Sequence, residues 1–265
     1  MLKIKNLQKT FNPGTVNAKT ALCGLDLTLN NGDFVTVIGG NGAGKSTMLN
    51  AIAGVFKPDY GTIEIDGVDV TNVPEHKRAK YLGRVFQDPM KGTAPDMEIA
   101  ENLSIAARRS LKRRLVWGIK RGEREKYKAL LSTLELGLED RLSCKVGLLS
   151  GGQRQAVTLL MATLSCPKLL LLDEHTAALD PKTAAKVLEI TEKLVRENNL
   201  TTLMITHNMH DAIEYGNRLI MMHEGRVVVD VSGEDKKKLT IPELLGLFEK
   251  ASGSAFTSDK AILSK

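Results

Sequence analysis

Apolar residues recur along this chain with two different periods, and the switch between the periods divides it into regions. Residues 2–4 and 24–29 alternate apolar and polar, the rhythm of a half-buried strand, and the second stretch runs into the turn signal Asn30-Asn31-Gly32-Asp33. Phe34–Ile38 follows as an unbroken run of apolar and β-branched residues, the composition of a strand covered on both faces. A glycine-rich stretch then opens into residues 45–55, which have helical spacing, and residues 61–69 read as a strand and a turn. From about residue 97 to residue 165 the pattern is helical and rich in Leu, Ala, Arg and Lys. Residues 169–172, all leucine, are a second buried strand ending at Asp173-Glu174, and Thr201–Ile205 is a third. Between them residues 182–197 predict an amphipathic helix, introduced by Asp180-Pro181 with the proline suited to the first turn, and residues 208–215 predict another.

Strand, helix and strand in this order imply right-handed crossovers and a largely parallel sheet, so the fold class is α/β. Because strands resume after it, the segment 91–165 is expected to be a helical insertion between core segments 1–90 and 166–231, all within one domain. A short tail, 232–265, carries an amphipathic stretch over 241–250 with Leu244, Leu245, Leu247 and Phe248 as its stripe. The tail is expected to pack onto the core, with a small dimer contact as the alternative. No internal repeat is visible, so the chain holds one copy of each motif below.

Composition narrows the choice of chemistry. The 42% apolar and 26% charged fractions are those of an ordinary globular chain, and the net charge of +6 suits nucleic acid, phosphate ligands or an anionic membrane face without choosing among them. Cys23, Cys144 and Cys166 lie far apart and form no CxxC pair, which argues against a structural zinc site or a disulfide framework. His207 and His210 have no acidic or cysteine partner at metal-ligand spacing. The charged start MLKIKNLQKTF lacks the apolar core of a secretory signal, and no apolar run approaches the ~20 residues of a membrane helix, so a soluble, cytoplasmic chain is expected.

The sharpest motif is Gly39-Gly40-Asn41-Gly42-Ala43-Gly44-Lys45-Ser46-Thr47, which satisfies GxxxxGK[ST] between a predicted strand and a predicted helix. Its glycines let backbone N–H groups turn inward around phosphate oxygens, helped by the positive end of the following helix. Lys45 can reach the β- and γ-phosphates, and the Ser46 hydroxyl can ligate Mg²⁺. The alternative is a glycine-rich turn with an exposed lysine. Asp173 and Glu174, at the exit of a buried strand, fit a carboxylate that holds the Mg²⁺ hydration shell and a base that accepts a proton from the attacking water. Four leucines followed by Asp-Glu recur by chance, and a solvated acidic pair is the competing reading.

Leu149-Ser150-Gly151-Gly152-Gln153 supplies a helix N-cap and two glycines exposing N–H groups at the start of a helix expected over 153–164, an arrangement suited to capturing an anion. Together with the phosphate loop, this string resembles the signature of the ABC ATPases. The resemblance covers about residues 1–230. It implies a P-loop NTPase (RecA-like) core with a parallel sheet, an N-terminal antiparallel β subdomain and an inserted α-helical subdomain. It also implies that Ser150, Gly151, Gly152 and Gln153 meet the γ-phosphate held by a second protomer, so that ATP joins two copies. In the same family pattern Phe11 stacks on adenine, with an ordinary core phenylalanine as the alternative. Gln87 senses Mg²⁺ and the attacking water, Asp180 lies in the segment through which protomers communicate, and His207 contacts the γ-phosphate; without the family, a histidine at a strand end is more often structural. This sequence departs from the pattern at Asn41, His175 and Ala177, where proline, proline and serine are common. None of these removes a group that the chemistry needs.

The cofactors implied are ATP and Mg²⁺, and the partners are a second copy in a homodimer and transmembrane permease subunits. A soluble ABC protein acting on DNA or ribosomes would show a long coiled-coil insert or two cassettes, and neither is present. The basic run 108–114 lacks interleaved aromatics apart from Trp117, and reads as a solvated face or as attraction to an anionic leaflet, with no nucleic acid implied. The wording around Gln87 and Glu174 resembles the ATPases of bacterial uptake systems of the tryptophan or aromatic amino-acid type, more distantly those of branched-chain importers. Such systems include an extracellular substrate-binding lipoprotein, and their ATPase sits on the cytoplasmic face of the membrane. An exporter ATPase is the alternative. The permease is expected to dock near residues 87–96, where Pro89, Gly92 and Pro95 predict an exposed loop flanked by Met90 and Met97, unless both methionines belong to the core.

Overall fold

β1 (Leu2–Phe11) and β2 (Lys19–Leu29) form an antiparallel hairpin that places Leu2, Ile4 and Leu7 beside Leu22, Leu25, Leu27 and Leu29, all buried on one face. Both strands are longer than their alternation predicts, because register shifts between Ile4 and Leu7 and again beyond Lys9 interrupt the period of two. The computed structural model describes residues 1–109 and 118–252. β3 (Phe34–Ile38), buried at every position, leads through the glycine-rich loop into α1 (Lys45–Ala53). β4 (Tyr60–Ile65) and β5 (Val68–Asp69) complete a four-stranded antiparallel sheet of order β2-β1-β4-β5.

The short helix α2 (Glu75–Arg78) exists to deliver one side chain. Arg78 is 1% exposed, and its guanidinium donates to Ala51 O and Ile52 O at the end of α1, and to Thr71 O and Val73 O. A cation there satisfies the last carbonyls of the phosphate-loop helix and opposes the negative end of its dipole.

β6 (Leu82–Val85), α3 (Ile99–Ala107), α4 (Arg121–Ser132), α5 (Gly151–Thr163), β7 (Leu169–Asp173), α6 (Pro181–Glu197), β8 (Thr201–Ile205), α7 (Met209–Glu214), β9 (Arg218–His223) and β10 (Arg226–Ser232) follow in sequence. The second sheet has the order β10-β9-β3-β8-β7-β6, parallel throughout except for the β9–β10 hairpin. The mixed α/β class is therefore as expected, with an antiparallel subdomain joined to a mainly parallel core. Among the described residues, the helical insertion has no core separate from the sheet. Ile99, Leu103, Leu131, Val157 and Leu160 belong to the same buried cluster as Leu170 and Leu172 of β7, Met204 of β8 and Leu188 of α6. Of the basic run, residues 110–114 lie outside the described residues, as does Trp117. Arg108 pairs with Glu123, and Arg109 donates to Ala162 O and Ser165 Oγ.

The chain ends in α8 (Gly233–Lys238) and α9 (Ile241–Ser252); tail residues 253–265 lie outside the described residues. Lys236 donates to Tyr215 O and Gly216 O, capping α7 from below. Leu244 and Phe248, four apart on α9, are fully buried against Ile38, Met209, Leu219 and Met221, while Leu247 is exposed. The Phe248 ring also stands edge-on to His223 at 5.4 Å. Truncating a buried phenylalanine removes both transfer energy and packing, so Phe248→Ala should lower stability by about 3 kcal/mol, read as a lower midpoint in urea unfolding.

Candidate functional site

The site begins where β3 stops. Gly39 has φ +150°, and a Cβ there would stand 2.3 Å from Met222 O, so the turn out of the sheet admits only glycine. The loop closes around Lys45, which is 6% exposed and donates from Nζ to Gly39 O (2.6 Å) and Gly40 O (3.1 Å). In front of the loop lies a cleft of about 340 Å³, lined by residues 41–47 together with Phe11, Lys19, Ala21, Glu174 and His207. Phe11 is on the rim and 37% exposed, edge-on to Phe56 at 5.4 Å, and is not a core residue. Its outer face is available for stacking.

Two strands bring the acidic and imidazole groups to this cleft. Glu174, one residue beyond β7, adopts φ +48°, unusual for a residue with a Cβ, and its N–H donates to Ile205 O at the end of β8. That geometry sends its carboxylate toward His207, whose Nε2 lies 2.6 Å from Glu174 Oε1. His207 Nδ1 is buried with no hydrogen-bond partner among the described residues. Asp173 faces a neighbouring recess of about 680 Å³ that it shares with Gln87, Arg84 and Ala178. Burial raises the Asp173 carboxyl above its usual range, opposed by the Arg84 guanidinium at 3.6 Å and reinforced by Glu174. Arg84 is itself fixed by Asn50 Oδ1 (2.6 Å) and by the Phe86 ring below it (4.5 Å).

The donors present fit the groups that the motifs imply. Residues 41–47 on the cleft wall, with Lys45 at the start of α1, fit a polyphosphate, and the cleft's size and the Phe11 rim fit its nucleoside. Ser46, Asp173 and Gln87 are hard oxygen donors, the type Mg²⁺ takes alongside phosphate oxygens. Among the described residues no cluster of three or more His, Cys, Asp or Glu forms a cage that could hold a metal by itself.

The signature residues are built as expected but stand elsewhere. α5 starts at Gly151, two residues before the expected helix, so both glycines form its first turn. Ser150 Oγ accepts from Gln153 N, and Gln153 Oε1 accepts from Ser150 N, each at 3.3 Å, a reciprocal cap. A Cβ on Gly152 would come within 2.0 Å of Thr183 Cγ2, so that glycine also lets α5 approach α6 closely. None of Ser150, Gly151, Gly152 or Gln153 lines this chain's own cleft. Asp180 does not reach it either, and its carboxylate caps α6 by accepting from Thr183 N.

Two further residues bear on the site without belonging to a motif that sequence reading could weigh. Lys19 lines the cleft from the start of β2, and Arg84 holds Asp173. His175, noted in the sequence only as a departure, proves to be 2% exposed with Nε2 3.1 Å from Thr191 Oγ1. The Thr191 hydroxyl donates to Val187 O, so it must accept from His175, which puts a proton on Nε2. Burial lowers the His175 pKa from 6.5 to about 4. A histidine whose folded pKa is depressed binds its proton more readily when unfolded, so stability falls as the pH drops from about 6.5 toward 4. Relative to His175→Gln, which keeps a donor for Thr191, the wild type should lose on the order of 3 kcal/mol across that window in urea titrations at stepped pH.

Residues 22–177 match the family model described as ABC transporter. A tyrosine transport ATP-binding protein of Clostridioides difficile is 48% identical over 254 residues, covering 95% of this chain and 100% of its own length. A xylose/arabinose import ATP-binding protein of Sulfolobus acidocaldarius is 34% identical over 249 residues, 94% of each chain. Among solved structures, an ATP-binding cassette seen as a dimer in a post-hydrolysis state with ADP and Pi matches with a TM-score of 0.74 at 30% identity, over 88% of this chain and 98% of that one. A family match over more than half the chain, and a relative of nearly half identity end to end, leave one assignment: this chain belongs to the ABC transporter family, as one of its ATP-hydrolysing subunits.

Proposed function

We propose that this chain powers a bacterial importer of amino acids or similar small solutes, hydrolysing ATP between two copies of itself on the cytoplasmic side of a membrane permease. The observation that carries the catalytic part is the Glu174–His207 pair, 2.6 Å apart at the mouth of the phosphate-loop cleft. The importer reading rests on relatives described as transporting tyrosine and importing xylose or arabinose, and an aromatic or other amino acid is the substrate class favoured. A substrate-binding lipoprotein outside the membrane completes such a system.

In this reading ATP lies with its base against Phe11 and its phosphates over residues 39–47. Mg²⁺, when bound, neutralises charge on the β- and γ-phosphates, and Ser46, Asp173 and Gln87 would hold it. His207 Nε2–H, now engaged with Glu174, turns to a γ-phosphate oxygen and releases the carboxylate to take the proton of the attacking water. The capped start of α5, with the N–H groups of Gly151 and Gly152 at its first turn, supplies donors to the γ-phosphate of the opposite copy. Loss of the γ-phosphate removes what joins the two copies, and they part. Glu174→Gln should slow hydrolysis by ~10²–10⁴ while ATP still binds, trapping a dimer that elutes early on size exclusion with Mg-ATP. A variant that hydrolyses at the wild-type rate, or stays monomeric with its permease present, would sink this mechanism.

The permease is assigned to the segment 87–96. Met90, on the 3-10 turn Pro89–Gly92, is 42% exposed, so the alternative that it is a core residue fails; Met97 is half-buried. Arg154 on α5 reaches the Met90 sulfur and also donates to Gly147 O and Leu149 O, which links this surface to the loop in front of the signature. Met90→Glu should leave ATP hydrolysis by the isolated subunit near wild type and abolish its stimulation by the permease in reconstituted vesicles. Stimulation of normal size would place the docking surface elsewhere.

A further inference from the structure

The hairpin of β1 and β2 ends with two cross-strand pairs, Thr10 opposite Thr20 and Phe11 opposite Lys19. The two threonine hydroxyls lie 3.1 Å apart and tie the register. Directly opposed residues project on the same face of a sheet, so the register that sets Phe11 on the rim of the cleft sets Lys19 beside it. Both line the cleft, and Lys19 Nζ comes within 3.5 Å of where a Cβ on Gly42 would lie, so the ammonium stands over the phosphate loop.

The charge situation there is specific. Lys19 is exposed, and among the described residues it has neither an ion pair nor a side-chain hydrogen bond. Lys9, on the neighbouring strand, is different: it pairs with Asp59 at 2.8 Å and donates to Lys57 O at 3.0 Å. The carboxylate that lines the cleft, Glu174, is engaged by His207. An ammonium with no carboxylate partner, standing over a loop that already holds the Lys45 ammonium, adds to a positive field that favours an anion in the cleft.

We propose that Lys19 is a second phosphate-binding lysine, contacting the polyphosphate of the nucleotide from the hairpin side while Lys45 holds it from within the loop. This rests on the nucleotide reading of the cleft. It assigns the β1–β2 hairpin two tasks through one cross-strand pair: Phe11 takes the base and Lys19 the phosphates, so the hairpin end grips both halves of the ligand.

The test is calorimetric binding of ATP, ADP and adenosine to the wild type, Lys19→Met and Lys19→Arg. Methionine keeps an apolar stem of similar length and removes the charge, so any packing of the stem is left intact. A charge-assisted hydrogen bond lost from a partly exposed site should weaken ATP and ADP binding about tenfold, leave adenosine unchanged, and be largely restored by arginine. The salt dependence of ADP binding should also be shallower in Lys19→Met than in the wild type. Unchanged ATP and ADP affinity in Lys19→Met, or an equal loss for adenosine, would overturn the role of Lys19 and leave the nucleotide site standing. A wild-type chain that binds neither ATP nor ADP would overturn both.

Discussion

Lys45 carries a positive charge into an almost fully enclosed loop, and the rest of the site is arranged around that fact. Removing an ammonium from water is expensive unless polar groups replace the water, and here Gly39 O and Gly40 O take up that position at 2.6 and 3.1 Å. Those carbonyls can point inward only because Gly39 leaves the sheet at φ +150° against Met222 O on β9. The loop is thus braced by the neighbouring strand. At the far end of α1 the Arg78 guanidinium caps the last turn, so the helix that presents the loop is held at both ends.

The strand order explains how residues more than a hundred positions apart meet. β3, β8, β7 and β6 are parallel neighbours, with Val37 opposite Ile205, Ile205 opposite Asp173, and Leu172 opposite Val85. Their carboxyl ends are therefore level. Each strand brings candidate site residues to this edge: the phosphate loop after β3, His207 after β8, Asp173 at the end of β7 with Glu174 beyond it, and Gln87 after β6. Ligands of open parallel sheets gather at this edge for the same reason. The shared apolar cluster beneath the sheet joins α3, α4 and α5 to β7 and α6, so in the proposed mechanism a change at Gln87 would reach a packed body and not a loose appendage.

Legibility from sequence followed the physics of each element. β3 and β8 were readable to the residue because a strand covered on both faces has no polar positions to blur its ends. β6 was not, since its four residues, Leu-Gly-Arg-Val, include a glycine and an arginine and gain their place only through pairing with β7. β1 and β2 were read short because bulges break the alternation that announces a strand. The start of α5 was misplaced by two residues because glycine has poor helix propensity, whereas the Ser150–Gln153 cap and the close approach to Thr183 override it. The phosphate loop, Asp173-Glu174 and the signature were legible as contiguous strings. Lys19 and Arg84 were not, because each acquires its position from a partner distant in sequence and neither falls in a motif.

One geometric separation ties these points together. The cleft holds the loop, Phe11, Glu174 and His207, yet the capped N-terminus of α5, a second candidate anion site, is not among its walls. Two glycines at a helix start leave N–H groups with no intrahelical acceptor, and such groups need water or a ligand. With one phosphate loop and one signature in the chain, and no common wall between them, a phosphate bound at one can be completed by the other only from a second molecule. In the proposed mechanism ATP would then act as part of an interface. The two copies would be held together while the γ-phosphate is present, with His207 and Glu174 placed to act on its removal. Hydrolysis and separation would become the same event seen from the two sides of one bond.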